Sequence, residues 1–252
     1  MTDFHVIIPA RYQSTRLPAK SLASIGDKSL IVHVCDRAKE SGALSVTVAT
    51  DDTRILEEVS RYGYSAVMTS SSHQSGSDRV YEAAELLKLS DNDIVVNVQG
   101  DEPFIPSQNI SLVASLVNAE NNPVATLCCP IESASEVLDA NAVKVVFDDQ
   151  DKAIYFSRAP VPFNRDSPVT LKSTVNENYF RHIGIYAFRK AFLGQFIQWP
   201  LGRLERMESL EQLRIIENGY QIKLACLVEA PPHGIDTPAD LQKAREFYAS
   251  LN

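Results

Sequence analysis

The sequence predicts an α/β fold in which a mostly parallel central sheet carries helices on both faces. Short apolar runs alternate with amphipathic segments through the first half of the chain, and this order is typical of a parallel sheet. Polar loops follow several of the apolar runs. Ligands of open α/β sheets bind beyond the carboxyl ends of the strands, so we expect a functional site at one edge of the sheet.

The first half supplies the predicted parallel strands and the helices between them. Residues 4–9 form an apolar run that stops at proline, as a buried strand would, and residues 10–29 lack any period and predict a loop. Apolar spacing predicts a helix over 30–40, and Asp52 or its neighbours can cap the next one. The remaining predicted elements are strands over 45–50, 66–68 and 93–98 and a helix over 78–89.

The pattern changes after about residue 125. Strands are predicted over 143–147, 153–156 and 181–188 without long helices between them, and a proline-containing connection lies within this region. We therefore expect residues 125–190 to form a smaller mixed-sheet region that contributes to substrate binding and to a dimer contact. Leucines and other apolar residues at spacing three predict one helix over 204–218, followed by a strand over 221–227 and a helix over 237–248. No linker divides the chain, so residues 1–252 are predicted to be a single domain.

Composition and charge exclude several classes of function. The net charge of -8 argues against a nucleic-acid partner, because binding to a duplex requires a basic surface. No apolar run approaches the roughly 20 residues that span a membrane, and the opening residues do not form a signal peptide. The four cysteines lack the spacing of a zinc site or of a disulfide framework. A cytoplasmic protein with reduced cysteines and no membrane insertion is the prediction.

Three cations follow the first predicted strand. Arg11, Arg16 and Lys20 lie within ten residues, and a loop that offers guanidinium forks and an ammonium group suits a triphosphate. The alternative is a solvated basic loop without a ligand. The chain contains neither G-x-G-x-x-G nor G-x-x-x-x-G-K-[ST], so a dinucleotide-binding fold and a P-loop NTPase are disfavoured. The loop is predicted to bind phosphates.

Two aspartates are the candidate metal ligands. Asp101 follows the central strand over 93–98 and is preceded by glycine, and Mg²⁺ needs only one or two carboxylates beside phosphate oxygens and water. Asp101 could instead cap a helix that begins near Pro106. Asp236 precedes Thr237 and Pro238, where an N-cap role alone is an equal alternative.

Weaker candidates lie elsewhere in the sequence. Ser75, Gly76 and Arg79 stand in a small polar segment before a predicted helix, where backbone N–H groups can face a ligand. Residues that could bind a second, anionic substrate are Arg158, Arg165, Arg181, His182, Glu211 and Gln212. His182 adjoins an apolar strand, so a structural histidine with a hydrogen-bond partner is the alternative reading there.

Taken together, these segments resemble the 3-deoxy-D-manno-octulosonate cytidylyltransferase family, also called CMP-KDO synthetase. Matching stretches occur in order over almost the whole chain, which makes them more specific than any one motif. The stretches are IIPARYQSTRLPAK (7–20), VATDD (48–52), MTSSSHQSGSDR (68–79), VVNVQGDEP (95–103), NAVKVV (141–146), YFSRAPVPF (155–163), RHIGIYAF (181–188), LEQLR (210–214) and IDTPADL (235–241).

The resemblance implies a nucleotidyltransferase sheet of the glycosyltransferase-A-like type, usually in a homodimer. It implies transfer of CMP from CTP to the sugar acid KDO, with release of pyrophosphate, in lipopolysaccharide biosynthesis. By position, the implied nucleotide contacts are Arg11, Ser14, Arg16, Lys20, Ser75, Gly76 and Arg79, and the implied sugar contacts are Gln99, Arg158, Arg165, His182, Tyr186, Glu211 and Gln212. Asp101 and Asp236 resemble the Mg²⁺ ligands, and with Arg16 and Lys20 they are the implied catalytic residues.

The sequence leaves alternatives for the acceptor and departs from the family at one position. The same transfer to 8-amino-KDO or to sialate stays open, as does, outside the enzymes, a catalytically silent nucleotide-binding regulator. A glycosyltransferase is disfavoured because no D-x-D motif stands in the context of Asp101. Where the family commonly has glycine before the lysine, this chain has Ala19, which would be strained if the position requires a positive φ.

Overall fold

A nine-stranded sheet forms the centre of the protein in the computed structural model, which describes residues 2–14, 16–117, 122–175 and 178–250. The strands are β1 His5–Ala10, β2 Ser24–Ile25, β3 Lys28–Ser29, β4 Ser45–Thr50, β5 Ser65–Met68, β6 Ile94–Asn97, β7 Val124–Pro130, β8 Lys144–Phe147, β9 Ala153–Ser157, β10 Phe180–Arg189 and β11 Lys223–Cys226. Strands β2 and β3 form a separate two-stranded sheet.

Helices cover the sheet on both faces. They are α1 Leu30–Glu40, α2 Thr53–Arg61, α3 Gly76–Leu86, α4 Ser107–Ser115, α5 Ala134–Leu138, α6 Lys190–Gln198, α7 Arg203–Glu208, α8 Leu213–Glu217 and α9 Pro238–Ser250, with a short 3-10 turn at Lys20–Leu22. Within the described ranges, no helix is both long enough and apolar enough to cross a membrane.

The sheet is mostly parallel, as the sequence predicts. Its order is β11-β7-β10-β6-β1-β4-β5, and β1 pairs in parallel with both β4 and β6. Strand β10 is antiparallel to β6 and β7, while β11 and β7 are parallel. Strands β8 and β9 extend from β10 as antiparallel neighbours. Antiparallel pairing does occur in the second half, as a mixed sheet requires, but β7 to β10 belong to the central sheet and not to a smaller region of their own. The carboxyl ends of β1, β4, β5 and β6 share one edge.

Alternating side chains divide the core into two layers, one on each face of the sheet. On β1, Ile8 belongs to the layer that includes residues of α1, α2, α4 and α9, whereas Ile7 belongs to the layer that includes residues of α3, α6 and α8. Both isoleucines are fully buried. A strand covered on both faces must be apolar at successive positions, which explains the unbroken apolar run from which the sequence predicts β1.

Local capping explains where two of the helices begin. The Asp52 side chain accepts a hydrogen bond from the backbone N–H of Arg54 at the start of α2. Ser75 accepts from the N–H of Asp78 at the start of α3, and the Asp78 carboxylate accepts from the N–H of Ser75 in return. With this cap, α3 begins two residues earlier than the apolar pattern predicts.

The single helix predicted over residues 204–218 is wrong. The segment forms two short helices, α7 and α8, and Ser209 between them has a φ of 52°. The break has a tertiary cause, because Arg158 donates hydrogen bonds to the carbonyl oxygens of Glu208 and Ser209. The Glu208 carboxylate in turn accepts from Ser157 and from the N–H of Arg158. The apolar spacing continues through the break, so the sequence pattern does not reveal it.

Candidate active site

The candidate site lies at the carboxyl edge of the sheet, in a cavity of about 470 Å³. Four chain segments meet there: the loop after β1, the loop after β6, the start of α3 and the segment that precedes α9. Most of the residues predicted from the sequence line this one cavity, namely Arg11, Ser14, Arg16, Lys20, Ser75, Gly76, Arg79, Gln99, Asp101 and Asp236. The topology thus brings together segments that are more than 200 residues apart in the chain.

Lys20 lies between the two candidate metal ligands. Its Nζ is 2.6 Å from Asp101 Oδ2 and 3.0 Å from Asp236 Oδ1, and Arg16 Nη2 is 3.1 Å from Asp236 Oδ2. Burial opposes the charged form of Lys20, but the two carboxylates outweigh burial and raise the pKa of the ammonium group. The cationic loop and the carboxylate pair are therefore parts of one site, and both aspartates converge on a single positive charge.

Neither aspartate is used to cap a helix. Helix α4 has Pro106 at its N-cap position, and the Asp101 carboxylate is directed to Lys20 instead. At the start of α9, Thr237 Oγ1 accepts from the N–H of Asp240 and the Asp240 carboxylate accepts from the N–H of Thr237. These capping bonds leave the Asp236 carboxylate to contact Lys20 and Arg16, so the alternative of a capping role alone is not supported for either aspartate.

The loops that carry the two aspartates pack closely against each other and against β1. The N–H of Ile235 donates to the carbonyl oxygen of Asp101 at 2.8 Å. A Cβ atom at Gly100 would lie 2.8 Å from the carbonyl oxygen of Pro9, a distance that side-chain carbons do not adopt. Glycine at position 100 is therefore required by space, since it lets the Asp101 loop cross the end of β1.

Arg79 supports the cavity wall through contacts with protein groups. Its guanidinium is buried and donates to Asp51 Oδ2 at 2.8 Å and to Thr69 Oγ1 at 2.6 Å. The Ser75 side chain is committed to capping α3, while Gly76, the first residue of α3, lines the cavity. The start of α3 is thus directed at the cavity, where backbone N–H groups and the helix dipole favour an anion.

Several candidate sugar contacts cluster beside the start of α3, on the face of the sheet that α3 covers. Glu211 Oε1 accepts from Ser77 Oγ at 2.6 Å, and burial raises the pKa of the Glu211 carboxyl group. The His182 ring packs 5.3 Å from that of Tyr186. Burial also lowers the pKa of His182 to about 3, so the imidazole is neutral.

Three further candidates differ in how close they lie to this cluster. Gln212 is buried at the start of α8, next to Glu211 in the chain. Arg158 is hydrogen-bonded to Glu208, Ser209 and Ala140, and its bonds to Glu208 and Ser209 are those at the break between α7 and α8. Arg165 is exposed, pairs with Asp166 and is not among the residues lining the cavity at the carboxyl edge.

A second cavity of about 660 Å³ adjoins the first and shares Asp101 and Asp236 with it. Glu102 and the buried Arg181 contribute to its lining. Removal from water and the neighbouring Asp101 charge raise the pKa of Glu102 to about 8. The carboxylate pair thus lies at the boundary between two cavities.

Some residues of the site were not singled out from the sequence. Gln13 and His73 line the first cavity, and His73 Nε2 lies 2.5 Å from Glu82 Oε2. Asp51 is the ion-pair partner that holds Arg79. Asp51 directly follows a predicted strand, which could have marked it as a site residue. The neighbouring Asp52 caps α2, and that role alone explains two aspartates at this place.

Comparisons with known proteins agree with this geometry. A family profile described as cytidylyltransferase matches residues 5–223. The chain is 50% identical to the 3-deoxy-manno-octulosonate cytidylyltransferase of Idiomarina loihiensis over 97% of this chain and 98% of that protein. It is 49% identical to the enzyme of the same name from Xanthomonas campestris pv. campestris strain B100, over 98% of this chain and 89% of that one.

A solved structure extends the similarity to the whole fold. The chain superposes on CMP:2-keto-3-deoxy-manno-octonic acid synthetase complexed with CTP with a TM-score of 0.89 and 39% sequence identity. The superposition covers 99% of this chain and 100% of the other. On the sequence matches and this structural likeness, the chain belongs to the 3-deoxy-manno-octulosonate cytidylyltransferase, or CMP-KDO synthetase, family.

Proposed function

We propose that this protein transfers CMP from CTP to the sugar acid KDO and releases pyrophosphate, as a step of lipopolysaccharide biosynthesis. The observation that carries the proposal is the meeting of Arg16 and Lys20 with Asp101 and Asp236 in one cavity. CTP is a polyanion and KDO carries a carboxylate, so the two substrates repel each other. A site that joins them needs fixed cations and groups that hold a further cation.

In the proposed reaction, the anomeric hydroxyl of KDO releases its proton to solvent, and its oxygen bonds to the α-phosphorus of CTP. The bond from that phosphorus to the oxygen bridging to the β-phosphate breaks, and pyrophosphate leaves. Arg11, Arg16 and Lys20 neutralise the charge that develops on the leaving group, and the start of α3 orients the triphosphate. Positioning and electrostatics supply most of the catalysis in reactions of this type, and we assign no general base.

The carboxylate pair fits a bound Mg²⁺. Asp101 and Asp236 already converge on the Lys20 ammonium group, so the site accommodates a positive charge at this place. Mg²⁺ needs only one or two carboxylates together with phosphate oxygens and water, so two aspartates suffice. Held by the two aspartates, Mg²⁺ would supply positive charge between the substrates and lower the pKa of the attacking hydroxyl.

The sugar acid is proposed to occupy the space beside the start of α3. Gln99 lines the cavity, and Glu211, which is bound to Ser77, provides a polar group next to it. The neutral His182 and the adjacent Tyr186 offer aromatic surface with hydrogen-bonding groups, although His182 Nε2 already lies 3.0 Å from Thr126 Oγ1. Gln212, Arg158 and Arg165 complete the proposed sugar contacts. For Arg165, its exposed position means that reaching the sugar requires movement of its loop or a contact across a subunit interface.

The test measures pyrophosphate release with CTP, Mg²⁺ and three acceptors offered separately: KDO, 8-amino-KDO and sialate. We expect the highest kcat/KM with KDO. Substitution of Asp101→Asn is expected to lower kcat at least about 100-fold, since removing preorganised charge from such a site costs about 3 kcal/mol or more. Asp149→Asn is the control, because Asp149 is exposed and lines neither of the two cavities.

Two results would contradict the proposal. One is a higher kcat/KM with 8-amino-KDO or sialate, which would reassign the acceptor. The other is near-normal turnover by a folded Asp101→Asn variant at saturating Mg²⁺, which would remove the metal-ligand role.

A further inference from the structure

The segment between β11 and α9 carries Asp236 and is held at only a few points. At its beginning, the N–H of Leu227 donates to the carbonyl oxygen of Cys128 at 2.7 Å. Near its end, the N–H of Ile235 donates to the carbonyl oxygen of Asp101, and the Ile235 side chain is buried. Between these points Val228 is 95% exposed, and the two residues after it are exposed as well.

Arg181 supplies an anchor in the middle of this segment. Its Nη2 donates to the carbonyl oxygen of Pro231 at 3.3 Å, and its Nη1 lies 2.8 Å from Nε2 of His233. The same Nη1 donates to Glu136 Oε1 at 2.9 Å. Arg181 is only 7% exposed, so the guanidinium is a buried, multiply bonded group that joins the segment to β10 and to α5.

The position of Arg181 on β10 separates it from the proposed sugar contacts. Successive side chains on a strand point to opposite faces. Arg181 pairs in register with Cys129, which belongs to the core layer of α1, α4 and α9, whereas Tyr186 belongs to the layer of α3 and α6. His182, the next residue after Arg181, packs near Tyr186 with the two ring planes tilted by 52°. Arg181 and His182 both line the second cavity, but their side chains leave β10 on opposite faces.

We propose that Arg181 is a positioning residue, which fixes the segment around residues 231–236 so that Asp236 stays beside Asp101. The proposal rests on the proposed function, in which these two aspartates hold the divalent ion. Partners that orient a metal ligand without touching the metal commonly change metal affinity 10- to 100-fold when removed. Loss of Arg181 frees Pro231 and His233 from β10, so the segment before Asp236 is then held at Ile235. Asp236 itself keeps its contacts with Lys20, Arg16 and Asp240.

The experiment compares Arg181→Met and Arg181→Lys with the wild-type protein. We measure the Mg²⁺ concentration that gives half-maximal turnover with CTP and KDO, together with kcat at saturating Mg²⁺. Hydrogen exchange of residues 228–236, in protein without substrates or Mg²⁺, reports on the segment independently of activity. Arg181→Lys keeps a positive charge near Glu136 but loses the planar fork that reaches several partners.

Lys190→Met is the matched control. Lys190 directly follows β10 at the end remote from Arg181, is 8% exposed, and pairs with Glu85 and Asp91. Its removal takes a buried cation from carboxylate partners, as the loss of Arg181 does, without touching the segment that carries Asp236.

For Arg181→Met we expect a rise of about 10-fold or more in the half-saturating Mg²⁺ concentration, with kcat at saturating Mg²⁺ changed less than about threefold. Exchange over 228–236 should be faster, Arg181→Lys should be intermediate, and Lys190→Met should match wild type in both measurements. Folded Arg181→Met and Arg181→Lys variants with wild-type Mg²⁺ dependence and wild-type exchange would overturn the proposal. If Arg181→Met does not fold, Arg181→Lys alone decides.

Asp236→Asn separates a failure of this inference from a failure of the proposed function. If Asp236→Asn keeps the wild-type Mg²⁺ requirement, the metal role of Asp236 is wrong, and faster exchange in the Arg181 variants would still establish the anchor. If Asp236→Asn loses its Mg²⁺ response while the Arg181 variants behave as wild type, the proposed function stands and the positioning role is wrong.

Discussion

Lys20 illustrates how the surroundings of one side chain decide what it does. In the sequence it is the last of three cations that suit a triphosphate. In the fold its ammonium group contacts Asp101 and Asp236, and these carboxylates hold its pKa above the ordinary value although burial acts against them. Lys20 therefore links the cationic loop to the carboxylate pair, and a change at either group alters the other.

Ala19, next to Lys20, stands where the family commonly has glycine, and its backbone is strained. Its φ is 53° and its ψ is 31°, in the left-handed region, where an alanine side chain costs roughly 1–2 kcal/mol. We expect Ala19→Gly to raise the free energy of unfolding by up to about 1 kcal/mol, because relief of this strain exceeds the added flexibility of the unfolded chain.

Ala23→Gly is the matched control for this prediction, since Ala23 ends the same 3-10 turn with an ordinary φ of -64°. There glycine only adds freedom to the unfolded chain, and a loss of about 0.5–1 kcal/mol is expected. Urea denaturation of the two variants and the wild type measures both values. Equal destabilisation by the two substitutions would contradict the strain at Ala19.

At the scale of elements, the site depends on loops that cross one another at the carboxyl edge of the sheet. The loop after β6 passes the end of β1 at Gly100, and the segment before α9 is bonded to Asp101 through Ile235. Asp52 and Ser75 set the starts of α2 and α3 on the same edge. The first two contacts each join different elements, so the position of Asp101 depends on how tightly these loops pack.

Gly100→Ala tests how tightly the loop after β6 packs against the end of β1. The added Cβ would meet the carbonyl oxygen of Pro9 at 2.8 Å, so the loop that carries Asp101 must move. We expect a loss of about 1–3 kcal/mol in the free energy of unfolding, as for other overpacked positions, together with a lower kcat. Gly184→Ala is the control, since a Cβ there has nothing within 4 Å. A Gly100→Ala variant as stable and active as Gly184→Ala would show that the crossing is not tight.

The elements also show where sequence patterns are reliable. Helix α1 and strand β4 have the bounds that the sequence predicts, because the apolar spacing within each segment is that of its own type of element. The break between α7 and α8 could not be predicted, because it depends on Arg158, which lies 50 residues from Glu208 in the chain. The same bonds turn Arg158 from a predicted sugar contact into a group that also shapes the loop before Glu211.

At the scale of the whole molecule, we propose that the chain functions as a homodimer through the connection between β9 and β10. Phe163 and Leu171 lie in this connection and are 72% and 76% exposed. Exposed apolar side chains of this size are typical of interfaces when they occur close together. Arg165 stands between them in the chain and is exposed as well, so a dimer that covers this region would change the surroundings of a proposed sugar contact.

Phe163→Asp is therefore expected to weaken dimerisation at least about 10-fold, because a buried, unpaired carboxylate at an interface is costly. Sedimentation equilibrium of the variant and the wild type measures the dissociation constant. Val228→Asp, at a position that is 95% exposed and outside this connection, is expected to leave it unchanged. A monomeric wild-type protein, or equal weakening by both substitutions, would contradict the assignment of the interface.

The sequence by itself determined the class of fold, the family and most of the candidate residues. Buried parallel strands must be apolar at successive positions, and phosphate and metal chemistry requires cations and carboxylates that stand out after such strands. Both signals are local, so they can be read along the chain. The resemblance then added residues such as Ser14, Gln99 and Tyr186, whose local sequence alone gave no signal.

Only the tertiary structure decided how these residues are used. The local sequence left capping and metal binding equal for Asp236, and the structure argues against capping, because Thr237 and Asp240 form the cap and the Asp236 carboxylate contacts Lys20. Likewise, the partners of Arg79 and Arg181 lie tens of residues away in the chain. The hydrogen bonds of a charged side chain depend on which elements pack beside it, and that is a property of the assembled fold that no single segment encodes.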